Sequence, residues 1–370
     1  DIARDLEMWN EQSIIDIYPE HTQKKVIFTR LRKAYEDIRD KPNSYKDFQL
    51  KNIPGEQKYT FTTENKEGFG LGLCPVASEK TRCCNLLTLD AVESCGFDCS
   101  YCSIQSFYNQ NTITFDSNFA QKLLNLNLDQ NKTYHIGTGQ SSDSLMWGNR
   151  EGVLDALFSF ARKNPNVILE FKTKSDNIKY FLENDVPNNI LCTYSLNTQT
   201  IIDNEEHLTA SLNKRVAAAR KLADKGVKVG FHFHPIVEYE NYLQEYKEVY
   251  DKLISEFDVG EVALVSFGTL TFIKPVIKQL RDREFRTKIT QIPHADASGK
   301  TSYPDETKVA MFKHAYESFS AWHKDVFFYL CMEEHQMWGK TFGHQYSTNN
   351  DFERAMLSSY ANKLGMDFLL

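Results

Sequence analysis

From Leu86 to Phe267 the chain repeats one pattern: a short run rich in β-branched and aromatic residues, then a stretch with apolar side chains at helical spacing. Strand-like runs fall near 86–92, 132–138, 166–173, 188–196, 227–234 and 260–267. Between them, segments such as 151–164, 206–225 and 241–256 carry Lys, Glu and Asp on the face opposite their apolar residues. Parallel strands need a crossover connection, usually a helix, so this alternation predicts βα units around a parallel sheet. Six units predict an α/β chain built on a partial (β/α)6 barrel of the TIM type. The expected division is a helical N-terminal arm over 1–80, the barrel over 81–275 and an α-rich extension over 276–370 that closes the barrel.

Parity along the strands says which way the polar residues point, because alternate side chains face opposite sides. The third strand groups Glu170, Lys172 and Lys174 against Leu169 and Phe171. The fourth groups Thr193, Ser195 and Asn197 against Cys192, Tyr194 and Leu196, and the fifth groups Gly230, His232 and His234 against Phe231 and Phe233. Helices cover the outside, so the polar faces point inward. A purely structural barrel fills its interior with Val, Ile and Leu, so this polarity predicts a polar ligand near the C-terminal strand ends. His232 and His234 face that cavity and suit placing or protonating a substrate, and His234 is carried as a catalytic candidate.

Of the 370 residues, 41% are hydrophobic and 25% charged, enough for a sizeable core and unlike a disordered chain. The charge balance is 43 − 50 = −7, so no global positive field draws in nucleic acid. Only the basic stretches at 24–33 (Lys24, Lys25, Arg30, Arg32, Lys33) and 278–288 (Lys278, Arg281, Arg283, Arg286, Lys288) are suited to meeting DNA. The apolar runs are strand-sized and the first residues carry no apolar leader, so a cytoplasmic location without a membrane partner is expected.

Six of the eight cysteines lie between positions 74 and 102. The densest group reads Cys95-Gly-Phe-Asp-Cys99-Ser-Tyr-Cys102 and follows directly on the first strand-like run. Three thiolates from one loop can wrap a four-iron cluster and leave one iron open to another ligand. A three-ligand zinc site or a set of buried thiols is the competing interpretation. Cys74, Cys83 and Cys84 offer three more thiols at irregular spacing and read as structural or redox-silent. Cys192 falls on the outward face, and Cys331 stands in an aromatic run where a buried, inert thiol is the commoner outcome.

The C-x3-C-x2-C pattern with an aromatic residue, Tyr101, before the last Cys resembles the signature of radical S-adenosylmethionine enzymes. More of the chain, over about 83–275, resembles the spore photoproduct lyase family. The matching segments begin at Leu89-Asp90-Ala91-Val92-Glu93, then Gly137-Thr138-Gly139-Gln140-Ser141-Ser142-Asp143-Ser144-Leu145 and Phe171-Lys172-Thr173-Lys174. They continue through Tyr194-Ser195-Leu196-Asn197-Thr198, Arg215 to Lys221 and Val229 to Pro235.

The resemblance implies a [4Fe-4S] cluster on Cys95, Cys99 and Cys102 that cleaves S-adenosylmethionine, and a 5′-deoxyadenosyl radical that takes a substrate hydrogen. It implies a reductant such as flavodoxin or ferredoxin. Lys174, Ser142 and Ser195 match polar positions the family uses for the cofactor; Tyr101, Gly139 and Asn197 complete the expected cofactor contacts. The family repairs a thymine photoproduct in DNA, and its terminal hydrogen donor is a cysteine in the loop after the second strand, where this chain has Gln140. Its radical relay uses a tyrosine directly after the third cluster Cys, where this chain has Ser103. Neither a carboxamide nor an alcohol replaces those donors. The expected substrate is therefore either a thymine photoproduct in DNA, with Cys331 or Tyr101 as substitute radical residues, or a different molecule. An iron-sulfur protein that only binds or senses redox state is the alternative class.

Overall fold

The computed structural model describes residues 24–39, 41, 43–48, 59–66, 71–74, 80–103, 111–272, 274–281, 287–291, 295–297 and 300–369. Of the basic stretches read in the sequence, Arg283, Arg286 and the side chains of Lys24, Lys25 and Arg281 lie outside the described residues.

An eight-stranded sheet organises the chain: β1 (Leu71–Leu73), β2 (Leu87–Leu89), β3 (Tyr134–Thr138), β4 (Val167–Thr173), β5 (Ile190–Ser195), β6 (Lys228–Ile236), β7 (Val262–Thr269) and β8 (Phe327–Leu330). The strands lie side by side in chain order, from β1 at one edge to β8 at the other. Those from β2 to β8 are parallel, and β1 pairs antiparallel with β2. The parallel set thus holds seven strands instead of the expected six. The extra one, β8, is the aromatic run of the C-terminal extension, joined to β7 from Leu264 opposite Phe327 to Phe267 opposite Leu330. Between two ordered edges the sheet stays open, an incomplete barrel.

The main helices are α1 (Lys24–Arg39), α2 (Val153–Lys163), α3 (Gln199–Glu205), α4 (Leu212–Asp224), α5 (Tyr242–Glu256), α6 (Asp305–Ser318) and α7 (Asn349–Leu364). The segment before the barrel holds strands besides α1: Thr60–Glu64 pairs in parallel with Thr112–Asp116, and β1 joins the main sheet. The expected helix over 206–225 splits. Glu206–His207 forms a short strand against Asp98–Cys99, and α4 starts only after Ser211, whose side chain accepts the Lys214 N–H as its N-cap.

The parity assignment holds. Phe171 and Phe231 on the outer face are fully buried, with ring contacts at 6.1 Å to Phe158 of α2 and 5.1 Å to Phe257 after α5. The strands are buried on both faces, as parallel strands with helices outside must be. At the end opposite the βα loops, Tyr360 of α7 lies edge-on to His135, 5.4 Å between ring centres, and closes the base of the barrel. The Cys loop and the segments after β3 to β8 gather at the other end, which fixes where chemistry can occur.

Candidate functional site

The loop carrying Cys95, Cys99 and Cys102 begins where β2 ends and is held at several points. Ser94 takes a positive φ of 72°, the Cys102 N–H donates to the Cys99 carbonyl at 3.0 Å, and the Asp98–Cys99 strand pairs with Glu206–His207. Gly96 sits beneath Met146 and Trp147, where a Cβ would come within 2.5 Å of the Met146 methyl. No disulfide involves any of the three thiols. Burial pushes the Cys95 and Cys99 thiols up, so a metal group would have to displace their protons. Among the described residues no three His, Cys, Asp or Glu side chains are gathered closely enough for a single ion. Three soft thiol donors on one loop are a donor set that fits an iron-sulfur cluster.

Beside that loop, Lys174 Nζ donates to the Tyr101 hydroxyl at 2.9 Å and to Glu206 Oε1 at 3.1 Å, and Tyr101 itself hydrogen-bonds to Glu206. Arg215, fully buried, pairs with the other Glu206 oxygen at 2.6 Å and donates to the Ser195 carbonyl at 2.8 Å. Burial opposes ionisation of Glu206, yet Arg215 and Lys174 outweigh it and bring its pKa down to about 2. Neither Glu206 nor Arg215 was expected in the site.

Two acidic residues of the family-like segments build the neighbouring loop. Asp143 accepts the Lys174 N–H at 2.7 Å, the Thr173 hydroxyl at 2.7 Å and the N–H groups of Leu145 and Met146 at 3.0 Å, tying the loop after β3 to the end of β4. Asp90 accepts the Ser141 N–H at 2.9 Å and ties it to β2. Gly139 turns this loop with φ 72°, and a Cβ there would lie 2.6 Å from the Ser144 nitrogen.

A cavity of about 290 Å³ opens in the barrel mouth. Its wall includes Tyr101, Cys102, Ser103, Gly139, Gln140, Lys172, His234, Tyr329 and Cys331, with Cys74 and Cys84 among the remaining lining residues. Below it the interior polar residues form one chain. Glu170 accepts from His135 Nε2 at 2.7 Å, Thr193 Oγ1 at 2.6 Å and His232 Nε2 at 2.8 Å. His232 Nδ1 then accepts a hydrogen bond from the Ser266 hydroxyl at 2.6 Å, Ser266 accepts from His234 Nε2 at 2.9 Å, and His234 Nδ1 faces Lys172 Nζ at 3.4 Å. A single direction of donation, from Lys172 to Glu170, satisfies every link, and it requires both imidazoles to be neutral. Burial and then Lys172 lower both histidines, His232 to about 4.

The expected residues are therefore brought together unevenly. Tyr101, Cys102, Gly139, His234 and Cys331 share the cavity, and Lys174 reaches it through Tyr101. Ser142 accepts from the Trp147 indole at 3.2 Å, and Ser195 is buried beside Arg215. Asn197 donates to Glu206 at 3.3 Å and to the Pro235 carbonyl at 3.1 Å, while its oxygen accepts the Tyr246 hydroxyl at 2.5 Å. No helix among the described residues is long and apolar enough to cross a membrane.

The sequence model of the family described as spore photoproduct lyase matches residues 17–300. The spore photoproduct lyase of Clostridium acetobutylicum is 32% identical over 111 residues, a stretch covering 30% of this chain and 33% of that one. The lyase of a Geobacillus strain is 22% identical over 249 residues, covering 65% of this chain and 73% of that one. This match thus spans only about a third of the curated Clostridium relative's length. A solved spore photoproduct lyase variant with bound S-adenosylmethionine and dinucleoside spore photoproduct superposes with a TM-score of 0.60 at 20% identity, over 76% of this chain and 88% of that one. A second, with dinucleoside spore photoproduct alone, has a TM-score of 0.60 at 19% identity, over 82% and 94%. The Cys loop, the barrel that carries it and the family match agree: the chain belongs to the spore photoproduct lyase family of the radical S-adenosylmethionine superfamily.

Proposed function

We propose that this chain is a radical S-adenosylmethionine enzyme that opens a thymine photoproduct in DNA, with Cys331 acting as the hydrogen donor to the product radical. The observation that carries the reading is that Cys331 lines the same cavity as Gln140 and Ser103, the positions where the family has its donor thiol and relay phenol. A thiol at a new point on that wall supplies the weak bond to hydrogen that a carboxamide lacks. Burial holds the Cys331 thiol up to about 12 against the pull of Lys172, so it keeps the S–H that hydrogen donation needs at neutral pH.

Cys95, Cys99 and Cys102 would hold the [4Fe-4S] cluster. Lys174, Tyr101, Gly139, Ser142, Ser195 and Asn197 would frame S-adenosylmethionine, with Glu206 setting where the Lys174 ammonium stands. When bound, the cluster with S-adenosylmethionine supplies a 5′-deoxyadenosyl radical able to take hydrogen from carbon. Lys172, backed by two neutral imidazoles, presents a donor to a carbonyl oxygen of the substrate, and Cys331 gives the final hydrogen atom. The bound ligands of the solved relatives support the substrate assignment.

The test is one turnover of dinucleoside spore photoproduct by reconstituted, reduced protein. Wild type should release the repaired thymine dinucleoside, and Cys331→Ala should form 5′-deoxyadenosine with repair reduced at least a hundredfold. Undiminished repair by Cys331→Ala refutes the donor assignment.

A further inference from the structure

Four thiols from two distant parts of the chain meet at the cavity and the pocket beside it. Cys74, Cys84 and Cys331 line the cavity, and Cys83 joins all three around a small apolar pocket directly alongside. Cys74 follows β1, Cys83 and Cys84 precede β2, and Cys331 ends β8, so both edges of the open sheet contribute. Cys83 and Cys84 are adjacent in the chain and both line the small pocket. Asn85 adopts a positive φ of 52° in this turn. The segment is clamped, because Asn349 Oδ1 accepts both the Cys83 N–H and Arg82 Nη1 at 3.1 Å. Cys84 and Cys331 line both the cavity and the small pocket.

Adjacent cysteines such as Cys83 and Cys84 chelate one metal poorly. Cys83 is half-buried, so a small external thiol can reach it.

We propose that Cys83, Cys84 and Cys331 form a hydrogen-atom relay that recharges the cavity thiol from outside, with a small thiol or dithiol as the reductant. This rests on Cys331 being the donor of the proposed function. After Cys331 gives up its hydrogen, its sulfur takes the hydrogen of Cys84, one S–H bond breaking as one forms. Cys84 is refilled from Cys83 by the same exchange, and Cys83 from the external thiol, whose sulfur radicals pair to a disulfide over two turnovers. Each turnover thus consumes one thiol hydrogen and leaves its 5′-deoxyadenosine as product.

Two measurements on the cluster-loaded full chain test the relay. In the first, repaired dinucleoside is counted per chain with and without dithiothreitol. Wild type should pass one product per chain only with the thiol. Cys84→Ser and Cys83→Ser should give a first turnover like wild type and later turnovers at least tenfold slower. In the second, which needs no turnover, oxidised glutathione is added and tryptic peptides are mapped; a disulfide between Cys84 and Cys331 is expected, reversed by dithiothreitol. Wild-type multiple turnover in both serine variants overturns the relay, as does the absence of any disulfide linking Cys331 to Cys83 or Cys84. A wild type that fails even the first turnover strikes the proposed function instead, and the peptide map still reads the thiol group. Circular dichroism matching wild type shows that each variant is folded.

Discussion

The ammonium of Lys174 stands 3.1 Å from Glu206, a carboxylate that is 2% exposed and lies on a two-residue strand paired with the cysteine loop. Lys174 is thereby fixed beside the cysteine loop, and Arg215 on the far side of Glu206 keeps that carboxylate charged. The cysteine loop, the family-like lysine and the buried arginine of α4 form one connected unit.

Glu206→Gln should break this unit. It leaves Arg215 buried beside a neutral amide and frees Lys174, and breaking a buried ion pair by removing one partner costs about 3 to 5 kcal/mol. Urea unfolding at pH 7 reads the loss, and equilibrium dialysis of S-adenosylmethionine should show weaker binding. A change below about 1 kcal/mol would mean that solvent replaces the carboxylate.

The interior histidines set an acid limit. His232 titrates near 4 in the folded chain against an ordinary 6.5, so between those values the unfolded chain binds the extra proton. Stability therefore falls as the pH drops from about 6.5 to about 4, by about 3 kcal/mol for this residue. Glu206, depressed from 4.5 to about 2, adds a loss only below about pH 4.5. Urea midpoints at pH 7, 5.5 and 4.5 should fall in wild type and fall less steeply in His232→Gln. Equal slopes contradict the neutral-imidazole chain.

Gln140→Cys places a thiol on the wall of the cavity that Cys331 also lines. In a Cys331→Ala background it should recover at least a tenth of wild-type single-turnover repair. Recovery in Gln140→Ser would show that something other than a thiol hydrogen is responsible.

Gly139→Ala forces a side chain into a left-handed turn, 2.6 Å from a backbone nitrogen that cannot swing aside. The expected cost is about 1 to 3 kcal/mol, read by thermal unfolding, with weaker S-adenosylmethionine binding because the loop after β3 shifts.

Much of this was legible in the residues. The six strand-like runs overlap β2 to β7, and alternation along β4, β5 and β6 put Glu170, Thr193 and His232 on one face, where they meet. The Cys95, Cys99 and Cys102 loop follows β2 as its spacing required. Glu206 was hidden because it sits in a stretch with helical periodicity, and only its pairing with Asp98–Cys99 turns it inward. Cys331 was named as a substitute radical residue, but its position could not be read for a similar reason. Its aromatic surroundings resemble a core strand, and the cavity position follows from β8 adding itself to β7 far along the chain. Long-range register, not local pattern, decided both.

The most direct measurement is the formation of 5′-deoxyadenosine by anaerobically reconstituted, reduced protein given S-adenosylmethionine, quantified by mass spectrometry for wild type and Cys99→Ala. The account predicts 5′-deoxyadenosine from wild type and none above background from Cys99→Ala. A wild type carrying its full iron and sulfide that forms none, or a Cys99→Ala protein that forms as much, would contradict it.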